Sequence, residues 1–340
     1  MTERQIALLG LGNVGRSFID YLLRVDGREV APRILPQIRA VADSGGGIYL
    51  DRPDEIEAVL EIKRAGGRLD DYAPSRLIRN PREFIDSLPA SGVSALVESL
   101  PTNLDDGQPA LELLTAALNR GVNVVTVDKG PLVNGFDALT VATGACGARL
   151  GYTGTTGVAI PEEVLNSRVL EIRGVLNGTT NYILTEMQER ELSFEEALGR
   201  AQQSGIAEPD PRLDVEGWDS ASKILILAKA LMQAEGGIRD VSRIGIGPET
   251  EELIKVGRAS NRRVRLVARA RIWQGRVRVS VAPKLVAGDS PFYRVAGTSK
   301  AALFRTATEG ETISHARSGR DAISEIILDD LIRVERLAEV

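Results

Sequence analysis

The chain has 340 residues, a length that favours two domains over a single hydrophobic core. Its formal net charge of -5 excludes a global positive field that would hold nucleic acid or an anionic membrane. A single cysteine, Cys146, and a single histidine, His315, exclude an internal disulfide and a multi-histidine metal site and argue against a Ser-His-Asp mechanism. Acid–base chemistry is therefore expected from Lys, Asp, Glu or Tyr.

The sequence also predicts the surroundings of the protein. No apolar run approaches the roughly 18 residues that span a bilayer, and the N-terminus lacks the charged and apolar regions of a signal peptide. We therefore expect a cytoplasmic protein without a membrane or nucleic-acid partner. Two local expectations follow: Cys146 is a small buried residue, and the arginines between 258 and 278 lie on solvated strand faces and helix ends.

The first 150 residues alternate apolar strands with helices. Strands are predicted at 4–9, 39–42, 93–97 and 122–127, and helices at 52–67 and 109–119. Another helix carries Val14, Phe18, Leu22 and Leu23 at helical spacing. Continuously apolar strands alternating with helices are typical of a parallel sheet covered on both faces. Residues 1–150 are therefore predicted to form an α/β domain with a doubly wound parallel sheet.

The second half has a different pattern. A strand is predicted at 169–176, and helices at 180–190, 193–204 and 219–233, the second of them opened by a capping box from Ser193 to Glu196. Residues 263–272 alternate between apolar and polar, and so do 276–283 after a Gln-Gly turn, as in an antiparallel hairpin. An amphipathic helix closes the chain at 321–337. Residues 151–319 are predicted to form an α+β domain.

A glycine-rich turn follows the first strand and opens a helix. Gly10, Gly12 and Gly15 match G-x-G-x-x-G, with Asn13 and Val14 between the last two. The first glycine permits a tight turn, the second lets the backbone approach a pyrophosphate, and the third allows close packing of helix and strand. The helix N-terminus adds N–H donors and a positive dipole end. The turn predicts a dinucleotide site and a Rossmann-type domain.

Three residues bear on the choice of dinucleotide. Asp43 ends the second strand, where a carboxylate binds the ribose hydroxyls and favours NAD. Its spacing from Gly15 exceeds the usual ~20 residues, and its alternative role is that of a strand-end turn residue. Lys63 or Arg64 could instead cover a 2′-phosphate and favour NADP. The predicted cofactor is therefore NAD or NADP.

Four further segments carry a family resemblance. SLPTN (99–103), GVNVVTVDKGPL (121–132), GVLNGTTNYIL (174–184) and GIAEPDPRLDVEGWDSASK (205–223) are similar to segments of homoserine dehydrogenases, in the same order and spacing. The chain resembles the short form of that family, without a C-terminal regulatory domain. The resemblance implies a substrate-binding and dimerisation domain at 151–319, a final helix (about 320–340) that packs back on the first domain, and a homodimer or dimer of dimers.

The resemblance also implies an activity and a set of site residues. The family interconverts L-homoserine and L-aspartate 4-semialdehyde by NAD(P)-dependent hydride transfer, in threonine and methionine biosynthesis. Lys223 matches the acid–base lysine, and Asp219, four residues earlier, shares its helix face. The other implied roles are the substrate ammonium for Glu208, the substrate carboxylate for Asn177, Gly178 and Thr179, a substrate contact for Asp214, and the nicotinamide end for Pro101, Thr102 and Lys129. No metal is predicted.

Three departures from the family pattern leave alternatives open. Thr153 stands where relatives carry a glutamate that helps bind a monovalent cation, and Asp128 stands beside Lys129 in place of an asparagine. In the segment 315–324, Gly319 alone clearly matches the family's glycine-rich loop, and Arg317 replaces a glycine. The alternatives are a paralogous dehydrogenase for another small amino or hydroxy acid, and a dinucleotide-binding sensor without turnover.

Overall fold

In a computed structural model, the described residues are 4–26, 35–316 and 319–336. The strands are β1 (Gln5–Leu9), β2 (Gln37–Asp43), β3 (Gly46–Tyr49), β4 (Ala95–Glu98), β5 (Asn123–Thr126), β6 (Leu150–Gly151), β7 (Val169–Val175), β8 (Ser242–Arg243), β9 (Arg263–Trp273), β10 (Arg276–Val286), β11 (Lys300–Thr306) and β12 (Glu311–Ala316). The helices are α1 (Asn13–Asp26), α2 (Glu55–Arg64), α3 (Leu69–Tyr72), α4 (Pro81–Ser87), α5 (Ala110–Asn119), α6 (Lys129–Cys146), α7 (Thr153–Thr156), α8 (Glu162–Leu165), α9 (Gly178–Glu189), α10 (Phe194–Gln203), α11 (Arg212–Val215), α12 (Trp218–Met232), α13 (Thr250–Ala259) and α14 (Arg320–Arg336). The chain divides into two compact units, Met1–Thr155 with Gly319–Val340, and Thr156–Ser318.

The first unit is built on a sheet with the strand order β3-β2-β1-β4-β5-β6. Strands β2, β1, β4, β5 and β6 are parallel. The apolar sequences of the first four predicted this arrangement, and the two-residue strand β6 was not predicted. Edge strand β3 is antiparallel to β2, which the sequence did not predict. A Cβ on Gly47 of this strand would lie 2.2 Å from the ring of Phe84, so the glycine leaves the space in which Phe84 packs.

Helix α14 belongs to the first unit. Its apolar residues Ile327, Leu328 and Leu331 are each 1% exposed and join the core formed by β1, β4, α1 and α2. Side chains three and four residues apart share a helix face, which is why these residues reach one core together. Helix α14, the last helix of the described chain, therefore stabilises the hydrophobic core against the parallel sheet of the first unit.

Cys146 is exposed, so the prediction of a buried cysteine is wrong. It is the last residue of α6, directly before Gly147 in the left-handed conformation, and its thiol contacts the carbonyl of Asn119 at 3.0 Å. The apolar sequence around Cys146 suggested burial, but the end of the helix faces away from the core.

The second unit is built on a mostly antiparallel sheet with the order β12-β11-β7-β9-β10-β8. The predicted hairpin is present, because β9 and β10 pair along their whole length from Trp273–Arg276 to Arg263–Val286. Helices α9 and α12 pack against this sheet. The predicted capping box is also present: the Ser193 hydroxyl accepts the Glu196 N–H, and the Glu196 carboxylate accepts the Ser193 N–H.

Arg265 of β9 corrects the expectation that the arginines of this segment are solvated. It is fully buried and donates to the carbonyl oxygens of Val264, Phe292 and Tyr293 at 2.9–3.2 Å. Burial lowers the pKa of its guanidinium to about 10. A guanidinium offers five N–H donors, so backbone carbonyls satisfy it without a carboxylate partner.

An acidic residue at the centre of this sheet neutralises several arginines. Glu171 of β7 is 3% exposed and pairs with Arg269, with Arg305 at 3.1 Å and with Arg173 at 3.9 Å. Arg269 lies on β9 and Arg305 on β11, the two strands that flank β7, and Arg173 lies on β7 itself. Removing one member of a buried charge cluster leaves the others uncompensated.

We expect Glu171→Gln to lower the free energy of unfolding by about 2 kcal/mol, because the arginines then face one another without an anion. The loss is below the 3–5 kcal/mol of fully buried pairs, since Arg269 and Arg305 are 40% and 49% exposed. The matched control is Glu311→Gln on β12, whose 48% exposed carboxylate pairs with Arg173 and should matter little. Denaturant unfolding of both variants measures the difference, and equal stabilities would contradict the prediction.

Among the described residues, no helix is both long enough and apolar enough to cross a membrane.

Candidate active site

The glycine-rich turn lies between β1 and α1, as predicted. Gly10 has φ +100°, and a Cβ there would lie 2.6 Å from the Ser99 carbonyl oxygen. A Cβ on Gly15 would lie 2.1 Å from the Gly10 carbonyl oxygen, whereas one on Gly12 would meet nothing within 4 Å. Gly10 and Gly15 therefore hold the turn together, and Gly12 leaves open space at the N-terminus of α1. This is the cradle that a pyrophosphate requires.

The other residues of the turn have different surroundings. Asn13 is exposed and accepts a hydrogen bond from Arg16, and Val14 packs against the core of the first unit. Arg16 also donates to the carbonyl of Lys63 at 3.0 Å, which connects α1 to the end of α2. A cation thus stands near the phosphate cradle without belonging to the motif.

The two residues with opposite predictions for cofactor choice are in direct contact. The Lys63 ammonium lies 2.6 Å from Asp43 Oδ2, and the side chains are 14% and 5% exposed. Asp43 also accepts the N–H groups of Gly45 at 2.7 Å and Leu69 at 3.1 Å. The carboxylate at the end of β2 is therefore fixed by three donors, and its charge is balanced by the lysine that would bind a 2′-phosphate.

Two buried carboxyl groups lie at the carboxyl ends of β4 and β5. Glu98 is fully buried and accepts hydrogen bonds from the Thr126 hydroxyl at 2.5 Å and the Leu100 N–H at 2.6 Å. Burial, and then the nearby charge of Asp128, raise the pKa of Glu98 to about 8. Asp128 is 2% exposed and caps α6 through the Gly130 N–H, and burial raises its pKa as well.

The residues predicted for the nicotinamide end surround this acidic pair. Pro101 and Thr102 are exposed on the segment after β4, and the hydroxyl of Thr102 is close enough to Asp128 to lower the pKa of that carboxyl. Lys129, partly buried, is the first residue of α6, and its charge also lowers the pKa of Asp128. Three of the predicted residues thus lie at the sheet edge where ligands of doubly wound folds bind.

A hydrogen-bonded network joins four residues of the second unit. Asn177 precedes α9 and caps it, since its side-chain oxygen accepts the Thr180 N–H at 2.7 Å. Its amide nitrogen donates to Asp214 at 2.6 Å and to Asp219 at 2.8 Å. Both amide hydrogens are therefore used, and they hold two carboxylates beside the first turn of α9.

Lys223 completes the network. Its ammonium lies 2.6 Å from Asp219 Oδ2, one helical turn earlier on α12, and 3.0 Å from the Leu176 carbonyl oxygen. Both side chains are nearly buried, at 13% and 14% exposure. A solvated i,i+4 ion pair stabilises a helix by roughly a few tenths of a kcal/mol. The burial of Asp219 and Lys223 distinguishes them from such a pair.

The remaining predicted substrate residues are placed unequally. Burial and the charge of Asp219 raise the pKa of Asp214, while hydrogen bonding with Asn177 and Thr179 opposes that rise. Thr179 also donates to the Ile206 carbonyl at 3.2 Å, and Gly178 is buried as the first residue of α9. Glu208 is exposed, so the described contacts do not bring it into the network. Its role stays a prediction.

The structure describes two of the three departures from the family pattern, Thr153 and Asp128. Thr153 is nearly buried, and its N–H donates to Asp330 of α14 at 2.8 Å. The Asp330 carboxylate thus lies beside the position where relatives carry a glutamate. Burial raises the pKa of Asp330. Asp128 caps α6, as described above. Arg317 lies outside the described residues.

Sequence comparison decides the family. A family model described as homoserine dehydrogenase matches residues 159–332. A homoserine dehydrogenase from Methanocaldococcus jannaschii is 32% identical over 97% of this chain and 98% of its own length. The chain belongs to the homoserine dehydrogenase family. A relative from Pseudomonas canavaninivorans, named an NAD(+)-dependent homoserine dehydrogenase, is 30% identical over 99% of this chain and 98% of its own length.

Solved structures agree with this assignment. A homoserine dehydrogenase from Thiobacillus denitrificans aligns with a TM-score of 0.77 and 26% identity, covering 100% of this chain and 74% of that one. The predicted family, the predicted fold class and the predicted NAD or NADP cofactor are therefore confirmed.

The Asp43–Lys63 pair of this homoserine dehydrogenase family member makes cofactor choice testable. We expect Asp43→Asn to raise the ratio of kcat/KM for NADP to that for NAD by about tenfold or more, since it removes the charge that repels a 2′-phosphate and frees the lysine. Asparagine keeps an acceptor for the Gly45 N–H. Steady-state rates with both cofactors measure the ratio. Lys63→Met is the opposing variant and should shift it towards NAD; an unchanged ratio in both would place the ribose elsewhere.

Two ionisable residues near the predicted site were not predicted from the sequence. Glu98 ends an otherwise apolar strand, Ala95–Glu98, and an acid at the carboxyl end of a buried parallel strand was an available signal. Lys300, the first residue of β11, gave no such signal, because its neighbours come from distant parts of the chain.

Proposed function

We propose that this protein catalyses the NAD(P)-dependent interconversion of L-homoserine and L-aspartate 4-semialdehyde. The observation that carries the proposal is the network of Asn177, Asp214, Asp219 and Lys223, which holds a nearly buried ammonium against the fixed carboxylate of Asp219. The names of the full-length relatives agree with this chemistry. We also propose a place in threonine and methionine biosynthesis, which the family resemblance implies.

Lys223 is suited to move the proton of the reaction. An ammonium has three N–H donors, and the described contacts use two, to Asp219 and to the Leu176 carbonyl. One N–H remains to donate to the aldehyde oxygen during reduction, and the neutral amine accepts the hydroxyl proton during oxidation. Asp219 and Asn177 orient the lysine, because each is itself held by a second hydrogen bond.

The residues of the first unit fit a dinucleotide. A bound NAD(P) would supply the hydride for reduction of the aldehyde at C4, or take it up in the oxidation of the alcohol. The open space at Gly12 and the N-terminus of α1 suit the pyrophosphate, and Asp43 with Lys63 suits the adenosine ribose. Pro101, Thr102 and Lys129 are proposed at the nicotinamide end, beside the buried Glu98–Asp128 pair.

The second unit is proposed to bind the amino acid. Asn177, Gly178 and Thr179 form the start of α9, whose N–H groups suit a carboxylate. Asp214 and Glu208 supply negative charge for the ammonium group. The test is turnover of L-homoserine with NAD and with NADP, followed at the absorbance of the reduced nicotinamide. Absence of turnover in a protein that still binds the dinucleotide would contradict the proposal.

We also propose a homodimer, or a dimer of dimers, formed through the sheet of the second unit. In support of this proposal, Arg269 and Arg305 are 40% and 49% exposed around the buried Glu171. Their charged side chains are therefore accessible to a second copy of the chain. Light scattering coupled to size exclusion would report the mass, and a monomer at micromolar concentration would contradict it.

A further inference from the structure

Lys300 is a partly buried lysine of the second unit whose ammonium is affected by the charges of Lys223 and Asp219, although the family resemblance assigns it no role. It begins β11, and the segment before it is fixed to α9: the side-chain amide of Asn181 donates to the carbonyls of Val295 at 3.3 Å, Gly297 at 3.0 Å and Ser299 at 3.1 Å. Asn181 is fully buried in the first turn of α9. The position of Lys300 is therefore set by the helix whose N-terminus is proposed to bind the substrate carboxylate.

The Lys300 ammonium is enclosed, yet no ion pair with a described carboxylate holds it. Its Nζ lies against Gly157, where an added Cβ would be 2.7 Å away. Burial, and then the positive charge of Lys223, lower the pKa of Lys300 to about 8, and Asp219 opposes this shift. The charges of Lys223 and Asp219 therefore both act on the Lys300 ammonium.

The space around Lys300 suits an anion. Lys300 lines a cavity of about 370 Å³. Arg294, which is cationic, and His315 also line this cavity. None of the described residues that line the cavity is acidic. An enclosed ammonium without a carboxylate partner is stabilised by an anion that enters with the ligand.

We propose that Lys300 binds the carboxylate of the amino-acid substrate and makes the site specific for alcohols that carry one. This inference rests on the proposed function. Lys223 and Asp219 act at the reacting hydroxyl end, and Lys300, with the start of α9, holds the other end. A charge-assisted contact of this kind is expected to change affinity by about 10- to 100-fold.

The test compares two ligands that differ by the carboxylate alone: L-homoserine and 3-amino-1-propanol. Each is titrated calorimetrically into protein saturated with NADPH, where no hydride acceptor is present and no reaction occurs. The variants are Lys300→Met, which removes the charge, Lys300→Arg, which keeps it, and Lys284→Met, which removes an exposed lysine on β10 of the same unit.

We expect Lys300→Met to weaken L-homoserine binding by tenfold or more and to leave 3-amino-1-propanol binding unchanged. Lys300→Arg should retain most of the preference for L-homoserine, and Lys284→Met should bind as the wild type does. Equal losses for both ligands, no loss for L-homoserine, or failure of the wild-type protein to bind L-homoserine would each overturn the inference.

The pH dependence gives a second signature. Only the protonated ammonium attracts a carboxylate, so the dissociation constant of L-homoserine should rise above about pH 8 in the wild type and not in Lys300→Met. The charged or titratable groups near Lys300 are Lys223, Asp219, Arg294 and His315, and they are unchanged in the variant. Turnover is measured separately, so binding without turnover contradicts the proposed function alone.

Discussion

Replacement of Lys223 by Met is expected to reduce kcat for L-homoserine oxidation by at least about 10²-fold, the usual scale of acid–base catalysis by one side chain. Lys223 is the nearly buried ammonium of the network, and its contacts with Asp219 and Leu176 fix it for proton transfer. The dissociation constant for the dinucleotide should stay within twofold, because the dinucleotide cradle lies in the other unit. Steady-state rates and a fluorescence titration with reduced cofactor measure the two quantities.

Lys229→Met is the matched control for Lys223→Met. Lys229 lies on the same helix, α12, and is partly exposed, so its loss removes a lysine without touching the network. Its kcat should equal that of the wild type. A near-wild-type kcat in Lys223→Met would remove that lysine from the mechanism, and an equal loss in both variants would point to damage of the helix.

Alanine at Gly15 is expected to destabilise the protein, whereas alanine at Gly12 is expected to leave its stability nearly unchanged. The Cβ of Gly15→Ala would lie 2.1 Å from the Gly10 carbonyl oxygen, so the turn must move, at a cost of about 1–3 kcal/mol in the free energy of unfolding. The dissociation constant for the dinucleotide should rise by about 100-fold or more, since the displaced turn no longer presents its N–H groups.

Gly12→Ala places its Cβ in open space and should leave the stability of the ligand-free protein within about 0.5 kcal/mol of the wild type. Dinucleotide affinity should still fall, because the methyl group occupies the approach of the pyrophosphate. Thermal unfolding without ligand and titration with NADH separate the two effects. Wild-type affinity in Gly12→Ala would show that the pyrophosphate does not cross this turn.

Much of the fold followed from local patterns. The strand–turn–helix at residues 5–26, the capping box at Ser193 and the β9–β10 hairpin were all predicted, because each is stabilised by contacts between residues close in sequence. The misses have tertiary causes. Strand β3 is a glycine-rich segment against which Phe84 packs, and the buried Arg265 finds its acceptors on a later segment, Phe292–Tyr293.

The candidate site divides in the same way. The sequence by itself determined the glycine turn and the Asp219–Lys223 spacing, since a turn and one helical repeat are set by neighbouring residues. The tertiary structure alone brought Asp43 against Lys63, buried Glu98 beside Asp128, and placed Lys300 where the charge of Lys223 acts on it. Contacts between distant residues depend on strand order and helix packing, which no local pattern of side chains specifies.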